Sequence, residues 1–96
     1  KTFREITKLE RNGMFVYESV PGTAVTNMVA SENGVEFEVE GPEVAEITLG
    51  LMEETEYDVF VAGKSIGQMK TNLGGKLTLS VELDPETPVA VKVSRV

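Results

Sequence analysis

The chain contains no cysteine, no histidine and no tryptophan. Without cysteine there are no disulfides, no iron–sulfur clusters and no thiol nucleophile. Without histidine the commonest general base, the commonest zinc ligand and any imidazole pH switch are gone. Basic residues are also missing from a long stretch: Asn12 to Gly63 carries eleven carboxylates and no lysine or arginine, within a net charge of −7. Such a surface repels phosphate backbones and anionic lipid, so neither nucleic acid nor membrane is an expected partner, and its plain consequence is solubility. No apolar run approaches the roughly eighteen residues of a membrane-spanning helix, and no basic-then-apolar leader opens the chain.

What remains is a chain of 96 residues with 41% hydrophobic side chains. That is an ordinary globular composition, enough for one domain over residues 1–96 with a single modest core. The chain begins at Lys1 rather than at a methionine, so a mature product or a module cut from a longer polypeptide is expected. The dominant signal is a two-residue period. In Val35-Glu36-Phe37-Glu38-Val39-Glu40 the apolar side chains fall on one face and the glutamates on the other, as in a sheet covered on one side only.

The same signal recurs in Tyr57–Val61, Lys76–Leu83 and Val89–Val93, with further strands expected at Ser65–Thr71, 2–9, 14–20, 23–30 and 44–51. Glycine and proline punctuate them at Asn12-Gly13, Pro21-Gly22, Asn33-Gly34, Gly41-Pro42, Ala62-Gly63-Lys64, Asn72–Gly75 and Asp84–Pro88. Asn-Gly between extended segments favours a tight hairpin. Eight or nine short strands and no long helix predict an all-β, mainly antiparallel sandwich of the immunoglobulin-like or a related type. Phe37 and Phe60 are expected in its core.

The segment Leu51–Val61 resembles the E–F corner of fibronectin type III and related immunoglobulin-like domains through Leu51, Thr55 and Tyr57, although Glu53 stands where that corner usually has proline. The resemblance implies that the Tyr57 ring packs at the corner while its hydroxyl bonds to nearby backbone. That family has one strand after the corner, and here there is room for three. The longer block Tyr57–Val61, Gly63-Lys64, Thr71-Asn72, Gly74-Gly75 and Leu77–Leu83 is similar to C-terminal β-sandwich modules of bacterial extracellular polysaccharide-active enzymes. It covers about a third of the chain and consists of turn and core positions.

Four features could carry chemistry. Glu36, Glu38 and Glu40 project from one strand face, which suits a solvated surface better than a calcium site or a glycosidase pair, since the latter needs carboxyls across a cleft. Glu53, Glu54, Glu56 and Asp58 surround a loop whose carbonyls could join them around calcium; a solvated loop is the preferred alternative. Gly63-Lys64-Ser65 and Gly74-Gly75-Lys76 lead into strands rather than helices, so neither is a phosphate loop. A carbohydrate platform needs exposed aromatics. Tyr17 is the candidate, joined by Phe15 if that strand is regular, with core packing or subunit contact as the preferred role.

No catalytic residue, cofactor or metal is therefore expected. The leading expectation is a non-catalytic accessory module of a larger secreted or surface bacterial protein, attached to a polysaccharide-active enzyme as spacer, stabilising cap or weak carbohydrate binder. Its partners would be neighbouring domains and a carbohydrate or protein ligand, and its location extracellular or at the cell surface. The alternative is a structural module of a surface, pilus or phage-tail assembly working through protein–protein contacts.

Overall fold

Alternation of small branched and polar side chains drives the whole chain into extended structure, and hydrogen bonding between antiparallel neighbours collects it into two sheets. A computed structural model describes every residue except Lys1, Thr2, Arg4, Asn12 and Glu32, and only the backbone of Met14. The strands are β1 (Thr7–Arg11), β2 (Met14–Val20), β3 (Ala24–Ser31), β4 (Gly34–Glu40), β5 (Ala45–Gly50), β6 (Glu56–Val61), β7 (Lys64–Lys70), β8 (Lys76–Val81) and β9 (Val89–Arg95). One sheet has the order β1-β2-β5-β8 and the other β3-β4-β9-β6-β7. All pairings are antiparallel. The expected all-β sandwich is thus the observed fold.

The inner faces meet in one core. In β4 it takes Val35, Phe37 and Val39; in β5 Ala45, Ile47 and Leu49; in β8 Leu77, Leu79 and Val81. Each set is the apolar half of a two-residue period, so the sequence pattern translates directly into burial. The glutamates of β4 face outward, where Glu36 lies opposite Lys92 of β9 and Glu38 accepts a hydrogen bond from the Asn27 amide at 3.0 Å. Their mutual repulsion is relieved by neighbours on adjacent strands.

Two sequence expectations shift. The first strand begins at Thr7 rather than in the segment that opens at Thr2, and Thr2 itself lies outside the described residues. Ser31 pairs with Gly34, so the second Asn-Gly pair straddles the turn and Gly34 opens β4. Its φ of +140° and the Val93 carbonyl, into which any Cβ would run, require glycine there. Three strands follow the corner, as the sequence left room for: β7 stays beside β6, β8 crosses to β5, and β9 returns to insert between β4 and β6.

Bulges interrupt three of the pairings. Val16 is extra in β2 against β1, β3 has one extra residue around Asn27 and Met28 against β4, and Ile66 is extra in β7 against β6. Asn27 has φ +52° and Gly67 φ +106°, the backbone signature of a chain kinked out of register. The long turns fall at two ends. β1 enters at the end that also holds the β2–β3 and β4–β5 connections. β9 leaves at the opposite end, where Arg95 N–H bonds the Asn33 carbonyl and Val96 N–H the Glu56 carbonyl.

Candidate functional site

The Val16 bulge decides the fate of the two aromatics proposed as a ligand platform. An extra residue resets the alternation, so Phe15 and Tyr17 do not share a face. Tyr17 is completely buried, so it packs in the core and offers no exposed ring to a ligand. Its ring meets Phe37 edge to face, with centroids 5.4 Å apart and an interplanar angle of 85°. Its hydroxyl is 2.7 Å from Thr23 Oγ1, which is 2.9 Å from Ser19 Oγ. Burial pushes the Tyr17 hydroxyl above its ordinary value, against the lowering effect of the Thr23 and Ser19 hydrogen bonds. Around this group Thr7 Oγ1 donates to the Thr23 carbonyl at 2.9 Å and accepts from the Thr23 N–H at 2.8 Å, tying β1 to the β2–β3 connection.

Phe15 lies on the outer side instead, half-buried over Gly50, with the Lys76 ammonium 5.2 Å from its ring centre. A cation over an aromatic face is attractive, so this ring is already occupied by a neighbour rather than held open.

Tyr57 is 1% exposed, and its hydroxyl accepts a hydrogen bond from the Met52 N–H at 3.2 Å. Leu51 packs against the core. Thr55 Oγ1 donates to the Glu53 carbonyl at 2.8 Å, closing the turn. The loop is held from the far side by a residue that the sequence marked only as part of the Thr71-Asn72 turn: Thr71 Oγ1 donates to the Met52 carbonyl at 2.6 Å and accepts from the Thr55 N–H at 2.9 Å. Thr71 is buried. Its signal was available only as a threonine just past the alternation of β7, next to a turn asparagine.

The acidic residues of this loop are not brought together. Glu53 and Glu54 are exposed in the turn, Glu56 is exposed at the start of β6, and Asp58 is half-buried on the outer face. Among the described residues no three carboxylates are grouped so as to hold a metal ion. Glu36, Glu38 and Glu40 stay spread along one strand, about 7 Å apart.

Phe60, expected in the core, is half-buried on the outer face of the five-stranded sheet. The reason is parity: Tyr57 and Val59 point inward, so Phe60 points out with its cross-strand partner Lys92. Glu36, Lys92, Phe60 and Ser65 form one row across β4, β9, β6 and β7, while Ser94, Asp58 and Gln68 form the next. A shallow cavity of about 300 Å³ lies here, lined by Glu36, Phe60, Gly63, Ala90, Val91 and Lys92. The four strands span about 14 Å across three strand spacings. The face offers one apolar ring amid carboxylate, ammonium, amide and hydroxyl groups. Comparison with family models, curated proteins and solved structures finds no match.

Proposed function

We propose that the chain is a non-catalytic accessory module of a larger secreted or surface bacterial protein acting on polysaccharide. In this role it spaces or caps a neighbouring domain and adds a weak carbohydrate contact through the Phe60 face. The observation that carries this reading is the direction of travel through the sandwich. β1 enters at one end and β9 leaves at the other, separated by at least a strand length of about 20 Å. A chain threaded this way holds whatever precedes and follows it apart.

The Phe60 face supports the carbohydrate contact by its chemistry. Sugar C–H groups pack on an aromatic ring while ring hydroxyls need both donors and acceptors. Phe60 supplies the first, and Lys92, Asp58, Gln68 and Ser94 the second. The resemblance of Tyr57–Val61 and Thr71–Leu83 to modules of polysaccharide-active enzymes points the same way.

Amide NMR during titration with soluble neutral polysaccharides tests the contact. Shifts confined to β4, β9, β6 and β7, lost in Phe60→Ala with the remaining spectrum unchanged, are expected. No shift with any polysaccharide of a broad panel would remove the carbohydrate role. Self-association in the same samples would instead favour a structural module working through protein contacts, a reading that the regular outer edge of β8 supports.

A further inference from the structure

Between the sheets, at the end where β9 leaves, lies a cavity of about 210 Å³ walled by Val16, Ala30, Val35, Leu51 and Met52. It is separate from the Phe60 face, which is on the outside of the five-stranded sheet. The sequence accounts for the space. Deeper in the core Tyr17, Phe37, Ile47 and Leu49 fill the gap between the sheets. At this end Ala30 contributes only a methyl group, and Gly34 and Gly50, which also line the cavity, contribute no side chain. Neither glycine can carry more. A Cβ on Gly34 would run into the Val93 carbonyl, and one on Gly50 into the Phe15 carbonyl.

One polar side chain is buried in this wall. Tyr57 lines the cavity and is 1% exposed. Its hydroxyl is the end that meets Met52, whose N–H donates to it at 3.2 Å. The hydrogen of that hydroxyl has no acceptor among the described residues. The polar groups beside it are already engaged. The Met52 carbonyl accepts from Thr71 Oγ1 at 2.6 Å, and Met52 Sδ accepts from the Arg95 guanidinium at 3.3 Å. Ser31, exposed at the rim, accepts from the Asn33 N–H at 3.2 Å. A buried donor without an acceptor costs free energy, so the cavity calls for one acceptor atom in apolar surroundings.

That inventory selects the occupant. An ordered water needs roughly two to four polar partners, and this wall has one spare donor. A sugar needs donors and acceptors all round its ring. A carboxylate buried against a neutral phenol would lose far more in hydration than one hydrogen bond returns. Size narrows the choice further. An apolar cavity of about 150 Å³ takes benzene, so one of about 210 Å³ admits such a ring with a small substituent. We infer that this cavity binds a small neutral aromatic ketone or aldehyde. The ring lies against Val16, Ala30, Val35 and Leu51, and the carbonyl oxygen accepts from the Tyr57 hydroxyl.

Amide NMR of the full chain, titrated with acetophenone and separately with ethylbenzene, tests this. The two probes have nearly the same shape, and only the first carries an acceptor. Acetophenone should shift the amides of Val16, Ala30, Val35, Leu51 and Met52, and should bind more tightly than ethylbenzene by roughly two- to tenfold, the worth of one hydrogen bond. Tyr57→Phe should remove that advantage and leave ethylbenzene binding unchanged. Ala30→Leu, at an exposed rim position, should abolish binding of both probes while far-UV circular dichroism stays the same. Acetophenone that leaves these amides unmoved overturns the inference. Equal affinity for the two probes does so too, because Tyr57 then donates nothing. Binding that survives Ala30→Leu also overturns it, because the site then lies elsewhere.

Discussion

Replacing Tyr17 separates its two possible roles cleanly. Tyr17→Phe removes only the hydroxyl. In the buried chain Tyr17–Thr23–Ser19, Thr23 Oγ1 loses its 2.7 Å partner but keeps Ser19 at 2.9 Å. A hydrogen bond contributes about 0.5–1.5 kcal/mol net, and a partner left wholly unsatisfied costs about 1–3 kcal/mol. Because Thr23 is only half deprived, about 1–1.5 kcal/mol is expected, a fall in Tm of several degrees for a domain of this size.

Tyr17→Ala also empties a large core site and breaks the edge-to-face contact with Phe37. That places it near the upper end of the roughly 3–5 kcal/mol typical of large aromatics, a large part of the roughly 5–15 kcal/mol that holds a domain together. Urea denaturation followed by far-UV circular dichroism measures both. Thr23→Val alone and combined with Tyr17→Phe completes a double-mutant cycle, in which groups in contact couple by about 0.5–3 kcal/mol. A Tyr17→Ala midpoint within about 0.5 kcal/mol of the parent, the range of ordinary surface changes, would refute the buried assignment and restore Tyr17 as a surface residue.

Tyr57→Phe should cost less than Tyr17→Phe, about 0.5–1 kcal/mol, because the 3.2 Å bond from Met52 N–H is long and Met52 is 48% exposed, open to replacement by water; Tyr57→Ala should cost about 3–5 kcal/mol. The same urea series checks this, and a Tyr57→Phe loss exceeding that of Tyr17→Phe would contradict it. The raised Tyr17 value predicts an alkaline limit: the neutral phenol is favoured in the fold, so its contribution is fully present below the unfolded-state value of about 10 and is lost as pH rises through the higher folded-state value. Denaturation from about pH 9 to about pH 12 should show this loss in the parent and a flatter profile in Tyr17→Phe; identical profiles would rule it out.

Which parts of this molecule could be read from the sequence follows from the range of the physics behind each. Alternation is a local property, so β4, β8 and β9 and their inward residues were legible from a few consecutive letters. The corner was legible as a pattern of side chains but not as a latch. Thr71, which grips both the Met52 carbonyl and the Thr55 N–H, is sixteen and more residues away along the chain, and nothing adjacent to it announces the bond.

Phe60 was misplaced for a different reason. Val59, Phe60 and Val61 are all apolar, and only the neighbouring Tyr57 and the register with Val91 and Val93 decide which phase of the period points inward. In an apolar triplet, the two phases are equally good locally and opposite globally.

The bulges explain the rest, and they tie the errors to the edges. One extra residue costs little locally but reverses every side chain beyond it. The Val16 bulge thus sends Phe15 out and lets Tyr17 go in to meet Thr23, so the candidate platform and the buried hydroxyl network are two results of one insertion. The bulges at Asn27 and Ile66 act on the edges of the other sheet, where an unpaired strand would otherwise recruit a second one. Asn27 is polar and Ile66 is 51% exposed, and at such positions the composition sets neither register nor kink. β8 lacks such a device and pairs with β5 without a shift. A strand readily read from its alternation is therefore also the one whose free edge the fold leaves least protected.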